Sequence, residues 1–220
     1  QSNTWTLIRF QEHVDAGGTL KWLFRKDGCM HCTDAACVKV CPSGALYRTP
    51  YGTVGLKAHL CIGCKECMAA CPFDIPRYDK ATDKILKCDL CLSRLQADQL
   101  PACIKSCPTG ALTLGAKDDM IKKAYARAKA LGGDANVYGD KFVGGTHVIY
   151  VLGEKPAVYD ELPQNPTVPL SIIVWKDLLK PLSLIAAGGV LAGSFLHYIT
   201  HGPKTPDDDV QGGDAGKGGK

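Results

Sequence analysis

The sequence lacks several features on which enzymes and nucleic-acid-binding proteins depend. Its 220 residues contain no Ser/His/Asp constellation, no phosphate-binding loop and no HExxH motif, so the hydrolytic and nucleotide-dependent chemistries that use them are not indicated. The net charge is only +4, and no block of Lys and Arg resembles a nucleic-acid footprint, which argues against a nucleic-acid partner. Aromatic residues make up only 7% of a chain with 24 glycines and 13 prolines. The composition is therefore that of a turn-rich globular protein with few aromatic residues for its core.

Both ends of the chain lack cysteine, and the concentration of cysteine between them is the strongest signal in the sequence. All 12 cysteines lie between Cys29 and Cys107, in three blocks that each end in Cys-Pro. The first block is Cys29-x2-Cys32-x4-Cys37-x3-Cys41, the second is Cys61-x2-Cys64-x2-Cys67-x3-Cys71, and the third is Cys88-x2-Cys91-x11-Cys103-x3-Cys107. CPSGAL (41–46) recurs as CPTGAL (107–112), with CPFDI (71–75) at the equivalent place. This repetition indicates a duplicated small module.

The second block has the spacing of bacterial ferredoxins, in which three close thiolates hold one [4Fe–4S] cluster and the fourth binds the partner cluster. The first two blocks then form a reciprocal pair. Cluster A takes Cys29, Cys32, Cys37 and Cys71, whereas cluster B takes Cys61, Cys64, Cys67 and Cys41. Gly63 would let the backbone approach the cluster closely. Lys39, Lys65, Lys87 and Lys105 lie within or beside the blocks, either as cations that tune the clusters or as ordinary solvated lysines.

Two other uses of cysteine fit this pattern less well. Zinc ribbons use paired C-x2-C knuckles with four ligands and do not need a further cysteine before proline. Six disulfides crowded into this region would not produce a repeated Cys-Pro-x-Gly-Ala-Leu segment. The spacing therefore favours iron–sulfur clusters over both.

The remaining segments predict an α+β chain built from duplicated bacterial-ferredoxin-like modules, a β-hairpin and one C-terminal transmembrane helix. Alternating β-formers predict hairpin strands at 4–13 and 19–26, and other patterns predict a helix at 118–133 closed by Gly132, a strand at 146–152 and an extended linker at 161–169. The predicted divisions are a hairpin at 1–28, a two-cluster module at 29–80, a third cysteine block at 81–115, a helix, strand and linker at 116–170, an anchor at 171–202 and a disordered tail at 203–220.

Residues 181–200 contain no Lys, Arg, Asp or Glu, and their length suits a hydrocarbon core of about 30 Å. Trp175 and Tyr198 lie where interfacial aromatic residues occur in membrane helices. The alternative interpretation is a buried helix of a soluble protein. His197 and His201 lie near the end of this span, where they are predicted to be interfacial rather than metal ligands.

Several of these motifs together resemble the iron–sulfur (beta) subunit of membrane-bound formate dehydrogenases. The motifs are RKDGCMHC (25–32), CPFDIPR (71–77), PACIKSCPTGA (101–111), GGTHVIYVL (144–152) and WKDLLKPL (175–182). The cysteine blocks alone would fit any four-cluster subunit of the molybdopterin oxidoreductase superfamily, and the last two motifs narrow the resemblance. The family therefore implies a non-catalytic electron-transfer subunit.

The resemblance also implies partners. A catalytic alpha subunit with a molybdenum or tungsten pterin would oxidise formate, and a membrane cytochrome b subunit with haem would pass the electrons to quinone. Residues 181–200 would contact membrane lipid. The protein would lie in the cytoplasmic membrane of a prokaryote as a single-pass subunit, with its soluble part on the periplasmic or outer face.

The sequence departs from the family pattern of four cysteine blocks, because the block that would precede the hairpin is missing from it. Carried over from the family, Cys88, Cys91 and Cys103 hold a third cluster whose fourth ligand lies upstream. Cys107 would then serve a fourth cluster, or alternatively would complete the third cluster itself. We therefore expect an N-terminal segment with another cysteine block.

Other functions remain open at this point. The equivalent subunit of a membrane hydrogenase, or of a nitrate, sulfoxide or polysulfide reductase, would carry similar blocks. A membrane-tethered zinc module belongs to a different class. His147, in the predicted strand, is expected to be a hydrogen-bonded structural residue.

Overall fold

A computed structural model describes residues 3–15 and 17–202. The chain divides into two compact units, the first ending at Ile172 and the second beginning at Ile173. The tail at 203–220, predicted to be disordered, lies outside the described residues.

The N-terminal part of the first unit is a long antiparallel hairpin. Strand β1 (Thr6–Val14) pairs with β2 (Leu20–Gly28), close to the predicted positions, and Phe10 lies opposite Phe24. The two faces differ, because Leu23 is buried whereas Phe10 and Phe24 are exposed. The alternating pattern therefore predicted the two strands, and the structure shows that the face with Leu23 packs on the rest of the unit whereas the face with Phe24 is exposed.

Each of the first two cysteine blocks folds as a loop, a one-turn helix, a Cys-Pro turn and a small hairpin. These elements are α1 (Ala36–Val40), β3 (Leu46–Arg48), β4 (Val54–Leu56), a 3-10 turn (Ala58–Leu60), α2 (Glu66–Ala70), β5 (Arg77–Asp79) and β6 (Lys84–Leu86). The third block contains α3 (Leu92–Gln96) and α4 (Ala102–Lys105). The described α-helices of the cysteine region each contain only four or five residues.

Helix α5 (Lys117–Leu131) is close to the predicted helix, and Gly132 follows it with φ of 68°. This left-handed conformation is one that glycine adopts without a steric penalty. Strands β7 (Asn136–Tyr138) and β8 (Tyr150–Leu152) pair next, with 3-10 turns at Phe142–Gly144 and Pro156–Val158.

The predicted strand at 146–152 was too long, since β8 begins only at Tyr150. The preceding residues pair elsewhere: the backbone N–H groups of His147 and Val148 donate to the carbonyl of Met30. Tertiary contact with the first cysteine block therefore replaces the strand ladder there.

Two small clusters form the core of the first unit. One lies between the first two cysteine blocks and comprises Ala35, Ala45, Leu46, Val54, Cys61, Cys67 and Ile85. The other joins the hairpin to the later strands and comprises Leu23, Met30, Tyr138, Leu152, Tyr159 and Leu162. Because Leu162 is buried, the predicted linker at 161–169 packs on the unit at its start.

The second unit is helical. Helix α6 (Leu170–Ile173) leads into a π-helical stretch (Val174–Leu179) and then into α7 (Lys180–His201). The continuous helix Leu170–His201 is the one described helix long and apolar enough to cross a membrane. Its apolar side chains, such as Ile185, are exposed. An exposed apolar surface of this extent needs lipid or a protein partner to cover it. The small sheets, the helices and this apolar helix confirm the predicted α+β fold with one C-terminal span.

Candidate cofactor site

The first two cysteines of each block flank the same tight turn. The residue just before the second cysteine has a left-handed backbone in all three blocks: φ is 48° at His31, 68° at Gly63 and 59° at Leu90. This conformation turns backbone N–H groups toward the first sulfur, as shown by the Leu90 N–H, which donates to Cys88 Sγ at 3.4 Å. The shared turn confirms that the three blocks are copies of one local structure.

Gly63 is required for a reason that the sequence did not show. A Cβ atom there would lie 2.4 Å from Asp83 Oδ1 and 2.8 Å from the Asp83 carbonyl oxygen. The close approach is therefore to the turn between β5 and β6, which packs against the second block.

The thiols of the first block gather around a cysteine of the second. Burial, together with the neighbouring charges of Cys29 and Cys71, raises the pKa of the Cys32 thiol to about 12. Burial also raises the pKa of Cys37, with Cys29 and Cys71 again the next contributors. Cys71 therefore lies with the first block, although it ends the second.

The reverse exchange occurs at the second block. Burial raises the pKa of the Cys67 thiol to about 12, and the neighbouring charges that add to this effect are Cys64, Cys41 and Cys61. Cys41, which ends the first block, therefore lies with the second. The structure thus brings the predicted cysteines together in two sets, each with one member from the other block.

The third block is organised differently. Cys88, Cys91 and Cys103 line an open cleft of about 1470 Å³, and Cys107 is not among the described residues that line it. Burial raises the pKa of Cys88, and its charged neighbours include Lys26 and Cys29. Cys107 is instead half-buried, and hydrogen bonds from the Thr109 hydroxyl and from backbone N–H groups lower its pKa to about 7. The structure therefore separates Cys107 from its three companions.

These thiols fit iron–sulfur clusters better than the two alternatives. All twelve cysteines are free thiols rather than disulfides. Within residues 3–15 and 17–202, no group of three or more His, Cys, Asp or Glu side chains is arranged to hold a single metal ion. Ligands of a [4Fe–4S] cluster bind different iron atoms, so they surround a volume instead of meeting at one point. Sets of four thiols with backbone N–H groups turned toward sulfur suit such a cluster.

Comparison with known proteins decides the family. Residues 20–117 match the family described as 4Fe-4S dicluster domain, and residues 168–210 match the family described as formate dehydrogenase N, transmembrane. The formate dehydrogenase iron-sulfur subunit of Haemophilus influenzae is 44% identical over 214 residues, which cover 94% of this chain and 68% of that protein. The chain belongs to the formate dehydrogenase iron–sulfur subunits.

Two further relatives allow the similarity to formate dehydrogenase subunits to be compared with the similarity to a hydrogenase protein. The nitrate-inducible formate dehydrogenase iron-sulfur subunit of Escherichia coli is 45% identical over 218 residues, covering 96% of this chain and 74% of that protein. The hydrogenase-2 operon protein HybA of Shigella flexneri is 30% identical over 206 residues, covering 77% of this chain and 63% of that protein. Similarity is therefore greater to formate dehydrogenase subunits than to this hydrogenase protein.

In this formate dehydrogenase iron–sulfur subunit, the four lysines beside the blocks have different environments. Lys39 forms an ion pair with Asp34 at 2.9 Å, Lys65 lies 4.0 Å above the Tyr78 ring, and Lys105 is exposed. Lys87 is only 3% exposed. Its Nζ donates to the carbonyls of Val54 at 2.6 Å and Cys88 at 2.8 Å, and within the described residues it has no ion pair with a carboxylate. Lys87 is therefore the most buried of these four lysines; its charge acts on Cys37 and, together with that of Lys26, on Cys88.

His31 was not predicted from the sequence to be part of the site. It lies between Cys29 and Cys32 in the sequence, and its side chain is completely buried. Its Nδ1 accepts a hydrogen bond from the Val54 N–H, and its Nε2 has no partner among the described residues. The accepting Nδ1 fixes the neutral tautomer with the proton on Nε2. His147 has the expected structural role, because its Nδ1 donates to the His31 carbonyl at 2.9 Å. In the second unit, the rings of His197 and His201 are stacked, with 4.8 Å between their centroids.

Proposed function

We propose that this chain carries electrons, through bound [4Fe–4S] clusters, from a formate-oxidising catalytic subunit to a membrane cytochrome b subunit. The observation that carries the proposal is the exchange of Cys41 and Cys71 between the first two blocks, which a two-cluster ferredoxin site requires. The oxidation of formate is inferred from the names of the formate dehydrogenase relatives. The less similar hydrogenase-2 operon protein HybA suggests the alternative, a subunit of a hydrogenase.

The ligands follow from the two sets of thiols. Cluster A is held by Cys29, Cys32, Cys37 and Cys71, and cluster B by Cys61, Cys64, Cys67 and Cys41. The division into a two-cluster module at 29–80 and a third block at 81–115 stays a prediction. Its support is that the two thiol sets lie wholly within the first of these ranges.

For the third block we propose a cluster C bound by Cys88, Cys91 and Cys103, with a fourth ligand from outside this block. The shared cleft supports this grouping, and the separate position of Cys107 supports its assignment to a fourth cluster. The open cleft leaves room for a further segment or subunit to supply the remaining ligand.

A bound cluster supplies one-electron transfer at a fixed position. The protein contributes an environment suited to anionic sulfur. Burial of Cys32, Cys37 and Cys67 excludes water from the thiolates. Backbone N–H groups stabilise the negative sulfur, as at Cys61, where the Ile85 N–H donates at 3.4 Å. No residue in this arrangement is left to bind and transform a substrate, so the reaction with formate belongs to the partner.

The apolar helix bears on how the chain is attached to a membrane. We propose that residues 181–200 contact lipid in the cytoplasmic membrane of a prokaryote and dock on a cytochrome b subunit with haem that reduces quinone. The catalytic subunit would carry a molybdenum or tungsten pterin, and both it and the soluble part of this chain would lie on the periplasmic or outer face. The single exposed span and its family match support the anchor.

The test is to purify the intact complex and measure electron delivery from formate. We expect iron and sulfide in the preparation, EPR signals of reduced [4Fe–4S] clusters on adding formate, and formate-dependent reduction of a dye. Reduction by hydrogen with no response to formate would support the hydrogenase alternative. A colourless preparation that contains zinc and no iron would refute the electron-transfer proposal.

A further inference from the structure

The three Cys-Pro turns are not equivalent in the hydrogen bonds that they offer to their sulfur atoms. Two of them have the repeated sequence CPSGAL (41–46) or CPTGAL (107–112), and the third is CPFDIP (71–76). The third turn differs from the other two at the second to fifth positions after the cysteine, and the differences at the second and fifth positions change the hydrogen-bond donors. Both positions face the sulfur.

Cys41 has a set of four donors. The Ser43 hydroxyl lies 3.6 Å from Cys41 Sγ, and the backbone N–H groups of Ser43, Ala45 and Leu46 also bond to this sulfur. The turn is therefore built to stabilise a negative sulfur.

Cys107 repeats the same arrangement in the third block. The Thr109 hydroxyl lies 3.5 Å from Cys107 Sγ, and the N–H groups of Thr109, Ala111 and Leu112 point at it. The recurrence at a second site, with threonine in place of serine, shows that the hydroxyl belongs to the turn.

Cys71 has fewer donors. Among the described residues, the N–H groups of Phe73 and Ile75 are the donors found at its sulfur. Phe73 supplies no hydroxyl, and Pro76 occupies the fifth position, where it has no N–H to donate. Phe73 and Pro76 therefore account for the loss of two of the four donors found at Cys41 and Cys107.

Hydrogen bonds to a ligating sulfur favour the reduced cluster, because reduction adds one electron and makes the sulfur more negative. No Fe–S bond breaks in that step. A thiolate bound to iron has no proton, so each hydroxyl at these sulfurs must be the donor. Removing such a donor lowers the reduction potential of the cluster that the sulfur binds.

We propose that Ser43 and Thr109 are residues that raise the potentials of the clusters bound by Cys41 and Cys107, and that the cluster bound by Cys71 lacks this contribution. This inference rests on the ligand assignment given under the proposed function. Ser43 is half-buried, whereas Thr109 is exposed, so water can replace the Thr109 hydroxyl more easily. The effect at Ser43 is therefore the larger one.

The experiment is an EPR-monitored redox titration of the intact complex with the replacements Ser43→Ala, Ser43→Thr and Ser106→Ala. Dithionite supplies the electron. We expect Ser43→Ala to move the midpoint of one cluster to a more negative potential, and Ser43→Thr, which keeps the hydroxyl, to restore it. Ser106→Ala removes a neighbouring hydroxyl with no hydrogen bond to a cysteine sulfur within the described residues, so its midpoints match those of the unmodified complex.

Thr109→Val provides a second, independent test, since it removes the hydroxyl and keeps the shape of the side chain. It is expected to shift a different cluster in the same direction by a smaller amount. Unchanged midpoints in Ser43→Ala and Thr109→Val, with full iron content, would overturn this inference and leave the electron-transfer function intact. If the unmodified complex contains no [4Fe–4S] signal, the proposed function itself fails. Should Ser43→Ala not assemble its cluster, the Thr109→Val titration decides the question alone.

Discussion

Replacing Lys87 with methionine should lower the reduction potential of a neighbouring cluster without removing it. Lys87 is buried, donates to two backbone carbonyls and has no ion pair with a carboxylate within the described residues. Its charge acts on the thiols of Cys37 and Cys88. An isolated buried cation is costly, and the anionic clusters proposed on both sides of it supply the compensating charge.

The size of the shift follows from Coulomb's law. If the charges are assumed to lie about 8 Å apart, an effective dielectric constant of about 20 gives an interaction of about 2 kcal/mol. For a one-electron couple this corresponds to about 90 mV toward more negative potential. The replacement also leaves the carbonyls of Val54 and Cys88 without their donor, which should lower the free energy of unfolding by about 1–3 kcal/mol.

The assay is a redox titration of the intact complex, with iron content and thermal unfolding measured on the same preparations. The matched control is Lys105→Met, because Lys105 is exposed and water screens the loss of its charge. We expect full iron content in both variants, a negative shift in Lys87→Met and a much smaller one in Lys105→Met. Equal shifts in the two variants, or a midpoint unchanged by Lys87→Met, would refute the reasoning that burial makes Lys87 the dominant cation.

Three further predictions follow from the arrangement of the blocks. Cys71→Ala should abolish the EPR signal of cluster A while Cys41→Ala abolishes that of cluster B, and loss of the opposite signals would disprove the exchange between blocks. Gly63→Ala should destabilise the unit by roughly 1–3 kcal/mol more than Gly44→Ala, measured by thermal unfolding. The two glycines have similar φ values of 68° and 67°, but only Gly63 has Asp83 in the way of a Cβ atom, so equal effects would count against the steric explanation. Deletion from residue 173 onward should release the chain from membranes without loss of iron, as fractionation and metal analysis would show; persistent membrane association would place the anchor elsewhere.

The sequence was sufficient for features that depend on local spacing. The sequence pattern was clear for the hairpin, for helix α5 and for the apolar helix. The hairpin has alternating β-formers, the apolar helix has a long uncharged run, and Gly132 marked the end of α5. The grouping of cysteines into clusters was inferred from the ferredoxin spacing and stays a prediction, which the proximity of Cys71 to the first block and of Cys41 to the second supports. Residues 146–148 were assigned wrongly to a strand because their partner, Met30, lies more than 100 residues away and leaves no trace in the local pattern.

Features that depend on burial could not be predicted in the same way. Lys39, Lys65, Lys87 and Lys105 look alike in the sequence, and only the three-dimensional contacts single out Lys87. His31 occupies the same place in its turn as Gly63 and Leu90, so its position predicted a loop and not a buried imidazole with a free Nε2. His31 and Lys87 are distinguished by their contact with β4, because Val54 of that strand donates to His31 Nδ1 and accepts from Lys87 Nζ.

The exchange of Cys41 and Cys71 has a consequence for how the unit folds. Neither set of four thiols comes from one block alone, because each set includes one cysteine from the other block. On the proposed ligand assignment, iron binding at one set would fix both blocks, and we expect the core between them, which includes Cys61 and Cys67, to form in the same step. Because metal binding contributes directly to folding free energy in small domains, the two sites should assemble cooperatively. Chelation that removes iron from one set should accordingly loosen both, and it should lower the thermal stability in a single transition rather than two.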